Sequence, residues 1–349
     1  LARCRPLGRG MPMTTAQLEH PGMPRLLCHP ERSEESARCH PERSEGSARH
    51  PARATNAEIV GDDGAPVILV LGGISADRHV VRSADDRRPG WWEGIVGAGR
   101  AVDTDCRRVL GVDFADGGRA RDGRPASRVT THDQAARVID ALDAHGIDRL
   151  DAAVGASYGG MVALALAERW PERVGQLVVI SAAHEPHPMS VGLRAIQRRI
   201  VELGLETGRS DDAMALGRAV AMTTYRTARE FAERFDVVPT CTGRAAEFDV
   251  ERYLVHAGDR FAARMAPERF LALSLSADLH RVTPERIDVR TTVIAAQGDT
   301  LVPPAQMRAM ARRLPQLAAM ITLRTRFGHD AFLTEQPRLG ALLSAILAS

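Results

Sequence analysis

Gly155-Ala156-Ser157-Tyr158-Gly159-Gly160 lies between an apolar run of strand type and a helical pattern that begins at Met161. A strand-to-helix turn of this G-x-S-x-G form holds its central residue in strained backbone geometry. Small residues are therefore needed on both sides, and Gly155 and Gly159 supply them. The Ser157 hydroxyl is then lifted above a sheet, with the Tyr158 N–H aimed at the same spot. A glycine-rich loop with a chance serine is the bland alternative, and the strand and helix on either side argue against it. A nucleophile so placed requires a base, an acid that orients the base, and a second oxyanion donor.

The strands and helices around this turn alternate. Val67 to Leu71 is a continuous apolar run of buried-strand type that ends in Gly72-Gly73-Ile74-Ser75, where glycines permit close backbone approach. Arg108 to Val112 reads as a second strand and Thr131 to His145 as a helix, with Thr130 or Thr131 as cap, Asp133 in its first turn and Gly146 as stop. Ala152 to Val154 leads into the elbow, Met161 to Trp170 forms the helix behind it, and Leu177 to Ile180 is the next strand. The alternation resumes late, with a strand at Thr291 to Ala296, a helix at Pro304 to Leu314, a strand at Met320 to Leu323 and a closing helix from Ala331 to Leu347. Such alternation predicts an α/β domain with a mostly parallel sheet flanked by helices.

Between its two parts the pattern is helical and arginine-rich: Val191 to Leu203, Asp211 to Met222, Ala228 to Phe235 and Pro267 to Asp278. This stretch is too long for a connection and reads as an inserted helical lid. The expected organisation is a first core part over 56–183, a lid over 184–284 and a second core part over 285–349. Residues 1–55 stand apart, because Cys28 to Arg38 recurs almost unchanged as Cys39 to Arg49 and His50 opens a third copy. A charged, proline-bearing repeat with no apolar face cannot offset its ordering entropy, so this extension is expected to be disordered. Its Cys-His pairs match none of the usual zinc spacings, and no metal is expected. The chain opens on Leu1 rather than Met, and the expectation is that the functional protein starts downstream of this stretch.

Composition narrows the function. The chain has 349 residues, 44% hydrophobic, with no apolar stretch long enough for a membrane span. With 46 basic and 44 acidic residues the net charge is +2, which gives no reason to expect a nucleic-acid or membrane partner. Five scattered cysteines make no disulfide framework, and no secretory leader pattern is visible, so a cytoplasmic location is expected.

The partners required by Ser157 lie after the last two strands. Asp299 follows the first of these within Gln297-Gly298-Asp299-Thr300, and His329 follows the second within Phe327-Gly328-His329-Asp330. Ser, Asp, His is the chain order of the α/β-hydrolase fold. His329 would accept the serine proton, and Asp299 would fix its tautomer and stabilise the imidazolium. His184 and His187 also follow a strand, but they precede the acid and are the runners-up. For the oxyanion hole the Tyr158 N–H and the Ile74 N–H are the two donors expected.

Taken together, residues from about 57 onward resemble the homoserine O-acyltransferases, an α/β-hydrolase family with a helical lid. The match rests on Gly155 to Met161, Thr224-Tyr225-Arg226, Glu230 to Phe235, Phe248 to Leu254, Asp299 to Pro304 and Gly328 to Leu333. The resemblance implies a ping-pong transfer in methionine biosynthesis. Ser157 would take an acyl group from a coenzyme A thioester and pass it to the hydroxyl of L-homoserine, with no cofactor besides that co-substrate. It further implies that Arg226 pairs with the acceptor carboxylate, that Asp330 holds its ammonium, and that the protein is a homodimer built through the lid. Acetyl-transferring members tend to carry a His-x-Leu-Thr-Gly loop where this chain has Gly72-Gly73-Ile74-Ser75, a form associated with succinyl transfer. Arg194 stands where acetyl-transferring relatives have a neutral residue. A second carboxylate cannot be buried unpaired, so an added arginine selects succinyl-CoA; Arg198 and Arg199 are the alternatives. Acetyl transfer, serine as acceptor, and a plain esterase or thioesterase are the competing activities.

Overall fold

The computed structural model describes residues 56–242 and 245–348, so the expected disorder of residues 1–55 falls outside the described residues. The sheet is built from β1 (Ala57–Val60), β2 (Val67–Leu71), β3 (Arg108–Val112), β4 (Leu150–Ala156), β5 (Val174–Ile180), β8 (Arg290–Ala296) and β9 (Leu317–Leu323). Their order is β1-β3-β2-β4-β5-β8-β9, parallel throughout except for β1, which pairs antiparallel with β3. Every residue of β2 is buried, as expected of a parallel strand covered on both faces. The strand period of two divides it: Val67, Leu69 and Leu71 join one core, and Ile68 and Val70 join the other. Helices α1 (Thr131–Ala144), α2 (Tyr158–Arg169) and α8 (Pro304–Ala311) supply the first core, and α10 (Gln336–Leu347) supplies part of the second.

The chain leaves β2 for β3 on one side and returns to β4 on the other. In open α/β sheets the crevice outside such a reversal, at the carboxyl ends of the strands, is where ligands bind. The Gly72–Ser75 loop after β2 and the Ser157 turn after β4 both open there.

Between β5 and β8 the chain inserts α3 (Pro188–Thr207), α4 (Ser210–Tyr225), α5 (Ala228–Arg234), a small antiparallel hairpin of β6 (Thr240–Thr242) and β7 (Ala245–Glu247), α6 (Asp249–Ala262) and α7 (Pro267–Leu279). Helix α4 packs between α3 and α6, around a separate core of Val201, Met214, Phe261, Met265, Phe270 and Leu271.

Several bounds differ from the sequence expectation for local reasons. Helix α2 starts at Tyr158 rather than Met161, because Gly159 and Gly160 sit inside its first turn. Each is needed there, since a Cβ on Gly159 would lie 2.4 Å from Leu71 O and one on Gly160 would lie 2.6 Å from Ala182 Cβ. The expected helix from Ala331 to Leu347 divides into α9 (Ala331–Thr334) and α10, broken at Glu335 where Pro337 opens the second helix. Strand β1, the hairpin and α6 are elements that the sequence pattern did not announce.

Candidate active site

The elbow has the strained geometry anticipated from its glycines. Ser157 has φ 55° and ψ −121°, and among the described residues only Ser181 is another non-glycine with positive φ. A Cβ on Gly155 would lie 2.4 Å from Gly159 O. The Gly159 N–H donates to Gly72 O at 2.8 Å and the Ala76 N–H to Gly73 O at 2.9 Å, which ties the β2 loop to the elbow and leaves Ile74 lining the pocket. Tyr158, at the first position of α2, has a backbone N–H with no acceptor inside the helix.

Three side chains from three loops meet above the sheet. Ser157 Oγ lies 2.8 Å from His329 Nε2, and His329 Nδ1 lies 2.8 Å from Asp299 Oδ2. Asp299 Oδ1 accepts from the Leu301 and Val302 N–H groups, each at 2.9 Å, so every oxygen of this fully buried carboxylate is engaged. With Asp299 accepting at Nδ1, the imidazole carries its proton there and presents a bare Nε2 to the serine hydroxyl. Burial lowers the basicity of His329, but the charge and hydrogen bond of Asp299, with Asp330 alongside, outweigh it and raise its pKa above the ordinary value. His184 and His187 are not part of this site. His184 pairs at 3.7 Å with Glu185, and His187 caps α3 by accepting from Met189 N–H at 3.3 Å.

A strap from the inserted helices holds the two catalytic loops. Thr300 Oγ1 donates to Thr224 O at 3.1 Å, and Thr227 Oγ1 donates to Arg326 O. Gly298 and Gly328, both at positive φ directly before Asp299 and His329, back onto the Thr227 methyl, 2.9 and 3.3 Å from where their Cβ atoms would be. Larger residues at either position would push the strap away and the catalytic loop with it.

The Tyr158 side chain is a second anchor. Its hydroxyl is 2.7 Å from Ser276 Oγ on α7 and accepts from Gln134 Nε2 at 3.3 Å, while its ring meets Phe114 edge-on with centroids 4.9 Å apart. Burial pushes its pKa up to about 12 against those two hydrogen bonds, so it stays a neutral phenol linking elbow, α1 and α7.

The pocket over Ser157 has a volume of about 90 Å3, and its polar wall is formed by Arg194, Arg218 and Asp330 with Gln197 and Ser274. Arg194 donates from Nε to Asp278 at 2.6 Å, and its Nη2 is buried with no hydrogen-bond partner. Of the two alternatives to it, Arg198 shares the same Asp278 at 2.6 Å, and Arg199 points out to Glu206 at 3.1 Å. Arg194 alone of the three lines the pocket.

Arg226, expected to face the acceptor carboxylate, stands directly behind the pocket wall: it donates from Nε to Asp330 Oδ2 at 2.9 Å and lies 3.8 Å from Glu230. It is the C-cap of α4, where the chain turns extended into the strap. Arg218, two turns earlier on α4, lines the pocket itself. Its guanidinium lies over the rings of Tyr225 at 5.0 Å and Phe261 at 4.8 Å, and among the described residues it has no carboxylate partner. Sequence reasoning missed Arg218 because it is one arginine of many on a helix; its spacing of seven from Tyr225, which puts both on one face, was the available signal.

Among the described residues no group of His, Cys, Asp and Glu could hold a metal ion, and no helix is long and apolar enough to cross a membrane. A serine nucleophile on a strand-to-helix elbow, a buried acid and base after the following strands, and a helical insertion over them define a serine-dependent α/β-hydrolase-fold enzyme. A sequence profile for the alpha/beta hydrolase fold matches residues 66–336. The homoserine O-succinyltransferase of Xanthomonas campestris pv. campestris is 43% identical over 290 residues, covering 83% of this chain and 78% of that protein. The L-serine/homoserine O-acetyltransferase of Streptomyces lavendulae is 33% identical, covering 80% of this chain and 87% of its own. Among solved structures, homoserine O-acetyltransferase from Bacillus anthracis superposes with a TM-score of 0.75 at 16% identity, over 84% of this chain and 91% of that one, a likeness of fold. The chain belongs to the homoserine O-acyltransferase family of α/β-hydrolase-fold enzymes, and it is an acyltransferase.

Proposed function

We propose that this enzyme transfers succinyl from succinyl-CoA to the hydroxyl of L-homoserine. The observation that carries the reading is the charge pattern of the pocket. Two guanidinium groups, Arg194 with an unpartnered buried Nη2 and Arg218 with no ion pair among the described residues, face a triad accompanied by one carboxylate, Asp330. Hydrolysis of a simple ester needs none of these charges. A succinyl chain brings one carboxylate and an amino-acid acceptor brings a second together with an ammonium, so the three groups are complementary in sign and number. The 43% identical homoserine O-succinyltransferase supports the same donor and acceptor.

In the first half-reaction Ser157 Oγ attacks the thioester carbon as its proton passes to His329 Nε2. The Tyr158 and Ile74 N–H groups receive the developing oxyanion. The C–S bond then breaks, the thiolate leaves with the proton from His329, and the succinyl group remains on Ser157 with its distal carboxylate on Arg194. In the second half-reaction Arg218 takes the acceptor carboxylate, and Asp330, steadied by Arg226, takes the ammonium. The acceptor hydroxyl gives its proton to His329 and attacks the ester, and Ser157 is released with that proton. The reading includes a cytoplasmic homodimer; exposed Val237 and Val238, 87% and 75% accessible beside the lid hairpin, suit a contact between copies.

The test is product analysis with purified protein and succinyl-CoA or acetyl-CoA, with and without homoserine or serine. O-succinylhomoserine with homoserine-dependent thiol release is the expected result. Free succinate as the only product, at a rate indifferent to homoserine, would show a thioesterase instead.

A further inference from the structure

A second cavity, of about 720 Å3, opens beside the catalytic pocket over the carboxyl end of β3. The two adjoin: Ser75 lines both, and Phe261 of the larger cavity lies under the guanidinium of Arg218, which lines the smaller. Three arginines from separate elements converge on it, Arg137 from α1, Arg264 from the turn after α6 and Arg269 from α7. None of them is ion-paired among the described residues. Arg269 Nη1 donates to Phe114 O at 2.8 Å and Arg264 Nε to Arg260 O at 3.2 Å, while Arg137 Nε is buried with no partner at all.

Carboxylates also line the cavity, but each is engaged with its own loop or with Arg78. Asp113 accepts from Arg78 N–H at 2.9 Å and Arg78 Nη1 at 3.2 Å, Asp77 from His79 N–H at 3.0 Å, and Asp116 from Gly118 N–H at 3.0 Å. Asp113 thus has an arginine partner and Asp77 and Asp116 are each held by a backbone N–H, while none of the three arginines has a carboxylate partner among the described residues. A buried donor without an acceptor is costly, and an incoming anion would recover that cost. Guanidinium groups match phosphate oxygens in geometry and charge.

We infer that this cavity holds the phosphorylated nucleotide end of the acyl donor, with Arg137, Arg264 and Arg269 on its phosphate groups. The inference rests on the reading of the enzyme as an acyl-CoA-dependent transferase. The catalytic pocket, at about 90 Å3, takes the acyl group but not the nucleotide, which must lie outside it. From the shared wall at Ser75 the pantetheine arm passes between the two.

Adenosine 3′,5′-bisphosphate, the phosphorylated end of the donor without arm or thioester, is the probe. Calorimetry on the full chain is expected to show it binding in competition with coenzyme A, with inorganic phosphate much weaker. Affinity should fall about tenfold or more in Arg264→Gln and further in the Arg264→Gln, Arg269→Gln pair. In parallel, the advantage of succinyl-CoA over succinyl-pantetheine in kcat/KM should shrink by a similar factor, a ratio that a general loss of folded enzyme does not move. Equal binding of the probe to the variants and the parent overturns the proposal, as does an unchanged donor ratio. Probe binding that depends on these arginines without any acyl transfer to homoserine would leave the nucleotide site standing and remove the transferase reading; transfer with unchanged probe binding would do the reverse.

Discussion

The catalytic triad and the inserted helices satisfy their buried polar groups differently. At the sheet, Ser157, His329 and Asp299 form an unbroken chain at 2.8 Å per link, and the outer oxygen of Asp299 is closed by two N–H groups. In the inserted helices, Arg194 Nη2, Glu230 Oε2 and Glu268 Oε2 are buried without partners, as are Arg137 Nε, Ser181 Oγ, His184 Nδ1 and Gln306 Oε1 outside them. A complete network is rigid and ready, whereas an incomplete one awaits groups that the protein does not supply. The core therefore carries the chemistry, and the insertion and its surroundings choose what the chemistry acts on.

The largest break in that division comes from the core. Asp299→Asn should lower kcat/KM about 10^4-fold by presenting the wrong tautomer. It should also move the pH profile. Because His329 titrates above the ordinary imidazole value and must be neutral to act as base, the acid limb of acylation in the parent lies above about 6.5. With the Asp299 charge gone, the limb should shift to lower pH; a limb that stays in place would uncouple the two residues.

Arg218→Ala tests the other side. Losing one partner of a buried charge pair costs about 2–5 kcal/mol, so kcat/KM for homoserine should drop roughly thirtyfold or more, with a much smaller loss in the burst of thiol from acylation. Equal losses in both half-reactions would place Arg218 outside acceptor recognition. A smaller change is expected of Arg194→Ala, which should erode the preference for succinyl-CoA over acetyl-CoA by about tenfold, the value of a charge-assisted hydrogen bond. Competition between the two donors with product masses read together measures it, and an unchanged ratio removes Arg194 as selector. Smallest is Thr227→Val, which deprives Arg326 O of its donor and should cost about 1 kcal/mol of unfolding free energy, measured in urea.

The same contrast governs what could be read without coordinates. The elbow was legible because strained turns leave few residue choices, and the triad because chain order and strand ends fix where acid and base must fall. Strand β1 was not, since it is four residues long with only Ala57 buried. Helix α6 hid behind its charges, with Asp249, Glu251, Arg252, Asp259 and Arg260 breaking any apolar run. The arginines of the insertion could be counted but not aimed. Arg218 and Arg226 sit eight residues apart, yet one enters the pocket from a helix while the other, past the helix end, turns to clamp Asp330. Which of them meets a ligand is decided by tertiary placement, which has no period in the sequence.

The most direct measurement is a chase of the acyl-enzyme. Enzyme mixed with succinyl-CoA alone should carry one succinyl group on the peptide containing Ser157, detected by mass spectrometry, and homoserine added afterwards should clear it as O-succinylhomoserine far faster than water does. Clearance at the same rate with and without homoserine, giving only free succinate, would contradict an insertion that selects the acceptor.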